Sequence, residues 1–185
     1  HVPFCHNRCN FCGCHTFAGA EPQVVDRYVD ALVAETRILA RALGKRAAVC
    51  VLSFGGGSPN SLSIDQWNRL LDALENVFDL SGPHERSVEL DPRRTSAELV
   101  RHLVERGFNR FSLGVQDLEP NVIELARPGQ TAEHVLALTS AIREAGVDAI
   151  NFDLVCGLPH QTEATMAATV ERVVELGPSR VALFG

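Results

Sequence analysis

Along this chain, short apolar runs of strand length alternate with longer stretches in which apolar residues recur every three or four positions, the repeat of an amphipathic helix. His1 to Phe4 reads as the end of a strand. Val29, Leu32, Val33, Thr36, Leu39, Ala40 and Leu43 then mark one face of a helix over residues 26–43, which Gly44 stops. A second strand is expected over residues 48–54, running straight into Gly55-Gly56-Gly57-Ser58-Pro59. Ser63 and Gln66 form a capping-box pair that opens a helix carrying Trp67, Leu70, Leu71, Leu74 and Phe78 on one face, which places Trp67 in the core. Residues 87–90 give a third strand, and Thr95 with Glu98 caps a helix through Leu99, Leu103 and Val104 that ends at Gly107. A fourth strand over 109–115 ends at Gln116, and Thr131 opens a helix through Val135, Leu138 and Ile142 to Gly146. A fifth strand covers 149–155, a helix over 162–176 stops at Gly177-Pro178, and residues 180–184 form the sixth strand.

Strict alternation of strand and helix requires parallel strands joined by right-handed crossovers, so the fold class is α/β, as an open doubly wound sheet or as a barrel. Polar residues choose between them. In parallel barrels the reactive groups project from the C-terminal ends of strands. Here the first strand leads into cysteines and the second into glycines, the third holds Glu89, the fourth ends at Gln116 and the fifth carries Asp153. A partial barrel with these groups at one mouth is therefore predicted. Each group also has a purely structural reading. The glycines fit a flexible turn, since they lack the spacing of a P-loop or a dinucleotide fingerprint, and each acid fits a locally satisfied core carboxylate.

Composition narrows the function. The 185 residues, 45% of them hydrophobic, suffice for one core, and a net charge of -6 argues against a general nucleic-acid binder. No apolar run approaches the roughly 20 residues that span a bilayer, and the cytoplasm is the expected compartment. The sequence begins at His1 and ends at Gly185 beside an apolar run, so residues 1–185 are expected to be one core domain trimmed from a longer chain.

Four cysteines fall between Cys5 and Cys14, and the first three, Cys5, Cys9 and Cys12, have the spacing C-x3-C-x2-C. Three thiolates in one short loop make a soft metal site. A structural zinc site takes a fourth protein ligand, here Cys14, His6 or His15, whereas an iron–sulfur cluster takes one cysteine per iron and three would leave one iron open. Disulfides and free thiols are the remaining readings, and disulfides do not suit a chain with no secretory segment. His6, His15, His84, His102, His134 and His160 show no metal-ligand spacing, and Cys50 and Cys156 are expected as buried thiols.

The cysteine spacing with Phe11, and the stretch Gly55-Gly56-Gly57-Ser58-Pro59, resemble the cluster and glycine motifs of the radical S-adenosylmethionine enzymes. A narrower resemblance is to oxygen-independent coproporphyrinogen III oxidases. It is carried by His1-Val2-Pro3-Phe4-Cys5, Phe11-Cys12-Gly13-Cys14, Glu89-Leu90-Asp91-Pro92, Gly107-Phe108-Asn109-Arg110, Gly114-Val115-Gln116-Asp117 and Asp153-Leu154-Val155-Cys156-Gly157-Leu158-Pro159. The resemblance implies a TIM-barrel-like partial (β/α)6 barrel in which Cys5, Cys9 and Cys12 bind a [4Fe-4S] cluster. It places Phe11, Gly56, Gly57, Ser58, Glu89, Gln116 and Asp153 against S-adenosylmethionine. The family usually has an arginine twelve residues after the glutamine; Pro128 occupies that position and Arg127 stands one earlier, while Ser58 stands where threonine is common. Cys14 matches a fourth cysteine of the decarboxylases, where related haem chaperones have phenylalanine, and is the candidate catalytic residue. The implied reaction uses an electron from the cluster to generate a 5'-deoxyadenosyl radical. That radical removes propionate β-hydrogens from coproporphyrinogen III, and loss of carbon dioxide then gives protoporphyrinogen IX. The implied partners are a tetrapyrrole substrate and an electron donor such as flavodoxin or ferredoxin, with the protein a monomer. A haem chaperone, another tetrapyrrole-acting member of the superfamily and a zinc-stabilised binding module are the alternatives.

Overall fold

The computed structural model describes residues 1–82 and 85–185; His84, one of the histidines considered above, lies outside them. The chain opens with β1 (Phe4–Cys5), the cysteine loop and β2 (Phe17–Ala18), followed by α1 (Pro22–Leu43). Then come β3 (Val51–Phe54), α2 (Ile64–Val77), β4 (Glu85–Leu90), α3 (Ala97–Glu105), β5 (Arg110–Gln116), α4 (Pro120–Ala126), α5 (Ala132–Glu144), β6 (Ile150–Val155), α6 (Glu163–Leu176) and β7 (Arg180–Phe184). The sheet runs β3-β4-β5-β6-β7, with all pairs parallel. β1 joins its β3 side through a parallel bridge between Val2 and Gly56. This gives the predicted strand sequence, open between the first and last strands.

Each strand places alternate residues on opposite faces. In β5, Phe111, Leu113 and Val115 are buried against the helices, while Arg110, Ser112, Gly114 and Gln116 face the concave side and are half-exposed. Parallel strands are usually apolar on both faces because helices cover both; here helices cover one face, and the other is polar.

The helices supply the core as their periodicity requires. Ser63 and Gln66 make the reciprocal capping box of α2, and its Trp67 packs edge-on against Phe54 and Phe108, with ring centroids 4.8 and 5.7 Å away. Trp67 is fully buried, so Trp67→Ala would cost about 3–5 kcal/mol.

Local details differ from expectation. The cap of α3 is Ser96, whose hydroxyl accepts from the Leu99 amide, while Thr95 donates to the Asp91 carbonyl. α1 starts at Pro22, four residues before the expected point, because proline suits the first helical turn. Cys50 is exposed and Cys156 half-buried. The apolar run over 48–54 is not a fully buried strand: within β3 only Phe54 is buried, so the residue preceding β3 has no core to enter.

Candidate functional site

The cysteine loop is fastened at its ends and in its middle. Gly57 donates to the Val2 carbonyl at 2.8 Å and Ser58 to the Phe4 carbonyl at 2.7 Å, so the glycine stretch lies directly beside the strand that delivers Cys5. On the return, Phe17 donates to the Pro3 carbonyl at 2.7 Å and Gly19 to the Cys5 carbonyl at 3.0 Å. Between these points Asn10 reaches across to α4: its backbone amide donates to the Ala126 carbonyl at 3.0 Å and its side-chain amide to the Leu125 carbonyl at 2.5 Å. These are orphan carbonyls at a helix C-terminus, so the loop and the helix end satisfy one another.

The need for glycine is concrete at two positions. A Cβ on Gly57 would lie 2.7 Å from the Phe4 carbonyl oxygen and 2.9 Å from Pro3, a collision with backbone that cannot move aside. A Cβ on Gly114 would lie 2.6 Å from a guanidinium nitrogen of Arg127. The first allows the cysteine strand to approach, and the second makes room for an arginine.

The strand ends complete the wall. The Glu89 side chain accepts from the Gly56 amide at 3.1 Å. Gln116 ends β5 with φ +68°, where the pairing with β6 slips by one residue; a non-glycine residue in this region is strained, and such strain gathers at functional sites. Asp153, on β6, accepts from Ser112 and Asn151. Arg127 is buried, donates to the Gly114 carbonyl and lies 3.1 Å from Asp91, which also holds Arg93 at 2.6 Å. Cys5, Cys9, Cys12, Cys14, Phe11, Gly56, Gly57, Ser58, Glu89, Gln116, Arg127 and Asp153 all line one cavity of about 500 Å³. The residues that the resemblance assigns to the cluster and the cofactor, with Cys14 and Arg127, thus share one cavity, while His6, His15, Cys50 and Cys156 do not line it. Both acids have the protein donors their structural readings ask for: Glu89 accepts from a backbone amide yet stays exposed to the cavity, and half-buried Asp153 accepts from two side chains.

Asp91 and Gly114 also line the cavity and were not singled out, and Arg93 lines it with them. The signal available was Asp91 two residues before Arg93. Burial alone would raise the Asp91 carboxyl, but the hydrogen bond from Arg93 and the fields of Arg127 and Arg93 outweigh it and hold the group below the usual carboxylate range. At Cys9 burial raises the thiol, against the lowering fields of Arg127 and Arg93. Cys14 is raised first by its hydrogen-bonded contact with Cys12, whose sulfur lies 3.4 Å from the Cys14 amide.

The family model described as the Radical SAM superfamily matches residues 1–173. This chain belongs to the radical SAM superfamily. It is 40% identical over 185 residues to the oxygen-independent coproporphyrinogen III oxidase of Escherichia coli K12, covering all of this chain and 40% of that protein. The chain therefore spans well under half the length of the curated relatives it matches. The solved structure of coproporphyrinogen III oxidase (HemN) from Escherichia coli, described as a radical SAM enzyme, superposes with a TM-score of 0.91 at 39% identity, over the whole chain and 42% of that structure. A radical SAM methyltransferase, TsrM, from Kitasatospora setae, solved with cobalamin and a [4Fe-4S] cluster, shares the fold at 19% identity and a TM-score of 0.61, over 98% of this chain and 35% of its own.

Radical SAM proteins use a [4Fe-4S] cluster and S-adenosylmethionine, and the cavity can be tested against both. None of the six cysteines is in a disulfide. Among the described residues no three His, Cys, Asp or Glu side chains come close enough to hold a single metal ion. A cluster asks for one thiolate per iron, spread round its corners. Three thiolates on the wall of one cavity meet that need in number and chemistry. The remaining wall offers carboxylates, backbone amides and a guanidinium, the partners of a zwitterionic ligand with hydroxyl groups.

Proposed function

We propose that the full-length protein carries out the oxygen-independent oxidative decarboxylation of coproporphyrinogen III to protoporphyrinogen IX, with residues 1–185 as its radical SAM core domain. The observation that supports this most is the convergence of Cys5, Cys9, Cys12, Gly56, Gly57, Glu89, Gln116 and Asp153 on one cavity, in a chain similar throughout to proteins named for that reaction.

In this reading Cys5, Cys9 and Cys12 hold the cluster and leave one iron without a protein ligand. The cluster and S-adenosylmethionine, when bound, supply one-electron cleavage of a carbon–sulfur bond and, from it, hydrogen-atom abstraction. The protein's part is to bind and aim. Gly56 and Gly57 admit the ligand close to the backbone, Ser58 offers a hydroxyl, and Glu89 accepts from its ammonium. Arg127 serves the ligand carboxylate: although Pro128 holds the family's usual position, the Arg127 side chain stands in the cavity wall, while the Pro128 carbonyl is taken by Arg93 at 2.9 Å. Phe11, 38% exposed at the cavity rim, lies beside the bound cofactor. Cys14, which is exposed, takes the catalytic role toward substrate in this reading.

Each propionate then loses one β-hydrogen atom, carbon dioxide and one electron, so the enzyme needs an electron acceptor as well as a reductant such as flavodoxin or ferredoxin. It acts as a monomer in the cytoplasm. Among the described residues no helix is long and apolar enough to cross a membrane. Anaerobic assay of the full-length protein with coproporphyrinogen III, S-adenosylmethionine and reductant should yield protoporphyrinogen IX and 5'-deoxyadenosine together. Deoxyadenosine without a vinyl product would leave the radical chemistry standing and overturn the substrate.

A further inference from the structure

Asp153 stands on the boundary between two cavities. One is the cavity of about 500 Å³ at the strand ends, and the other, about 260 Å³, runs down the concave face toward the strand starts. Protein donors reach its carboxylate from the lower cavity. Ser112 donates to Oδ2 at 2.9 Å, Asn151 donates to Oδ1 at 2.8 Å, and the same Asn151 amide lies 2.7 Å from the Ser112 hydroxyl.

The strands dictate this grouping. Ser112 and Asn151 are direct partners in the β5–β6 register, and Asp153 lies two residues beyond Asn151, so all three point to the concave face. Only one arrangement of protons fits. The carboxylate can only accept, so Asn151 must present its NH2; that NH2 makes the Ser112 oxygen an acceptor, and the Ser112 proton is left for Asp153. The network therefore ends on the carboxylate, giving each oxygen one protein donor while leaving each a lone pair for the upper cavity. Glu89, also shared by both cavities, accepts from the Gly56 amide and stays exposed.

Sheet order says which end of a ligand Asp153 meets. β6 lies three strands from β3, a path of about 14 Å along the curved sheet at roughly 4.8 Å per strand, and so stands away from the glycines beside the cysteine strand. A cofactor anchored by its amino-acid end near the cysteines presents its nucleoside there. We infer that Ser112 and Asn151 are positioning residues that fix Asp153 as a two-oxygen acceptor, so that the protein discriminates a ligand with a vicinal diol from one without it. This inference rests on the cofactor reading proposed above.

The test is calorimetric titration of the cluster-loaded full-length protein with S-adenosylhomocysteine and with its 2',3'-dideoxy analogue. The wild type should bind the diol more tightly by about tenfold or more, as expected for hydrogen bonds to a charged group. Ser112→Ala and Asn151→Leu should lose most of that ratio by weakening the diol ligand alone, and Ser112→Thr should restore it. Should Asn151→Leu fail to fold, the Ala and Thr variants at half-exposed Ser112 decide. A ratio unchanged in Ser112→Ala overturns the positioning role, as does a wild type that binds both ligands equally. A wild type that loads a cluster but binds neither ligand overturns the cofactor reading itself.

Discussion

Two networks of arginines and carboxylates lie at opposite ends of the strands, built from the same residue types and put to different use. At the C-terminal mouth, Asp91 holds Arg93 and Arg127, and all three side chains are under 10% exposed. At the other end Arg106 joins Asp72 at 2.8 Å and Glu75 at 3.2 Å, and those carboxylates are 62% and 40% exposed. The exposed network, with Arg86 also near Glu75, sets two cations against two anions and ties α2 to the end of α3. The buried one sets two cations against one anion and leaves one positive charge beside the cysteines. Burying ions costs more than their attraction usually returns, so an unbalanced buried set at the mouth is poor economy for stability and good preparation for an anionic guest.

The largest expected effect belongs to the thiolates that face this charge. Replacing Cys5, Cys9 or Cys12 by alanine should abolish the visible absorbance of the reconstituted cluster, with circular dichroism little changed, while Cys14→Ala should retain it. Equal loss from Cys14→Ala would remove the argument for an open iron.

Next comes Asp91→Asn, which strands two buried guanidiniums and should cost about 3–5 kcal/mol in urea unfolding. Acid sharpens the contrast. The Asp91 carboxyl is held below its ordinary value of about 3.9, so its contribution is fully present above that pH and is lost as the pH falls through the lower folded value. The stability gap between wild type and Asp91→Asn should therefore be flat near neutrality and close below about pH 4. A gap that widens in acid would contradict the assignment.

The smallest effect belongs to the exposed network, where Asp72→Ala should cost under about 1 kcal/mol and less still in high salt. If Asp72→Ala and Asp91→Asn prove equal, burial is not what separates the two ends.

Much of this was legible in sequence because it is local. Strand and helix periods, the Ser63 and Gln66 cap, the buried Trp67 and the strand-end polar residues all follow from spacing within one element. What escaped depends on distant partners. α4 is only seven residues long, and its end is satisfied by Asn10, more than a hundred residues away in sequence. β2 is two exposed residues that exist as a strand because β1 lies beside them. Asp91 reads as a turn acid before Pro92 until Arg127 is brought to it from beyond β5. Cys50 was misjudged because an apolar run says nothing about whether both faces of its strand are covered.

The alternation along β4, β5 and β6 divides labour within each strand. Phe111, Leu113, Phe152 and Leu154 answer to the helices behind the sheet, while Ser112, Gln116, Asn151 and Asp153 answer to whatever occupies the hollow in front. Change at the first set is constrained by folding, and change at the second chiefly by what the hollow must hold. A scaffold wired this way can change its repertoire of guests one residue at a time without renegotiating the core that carries them.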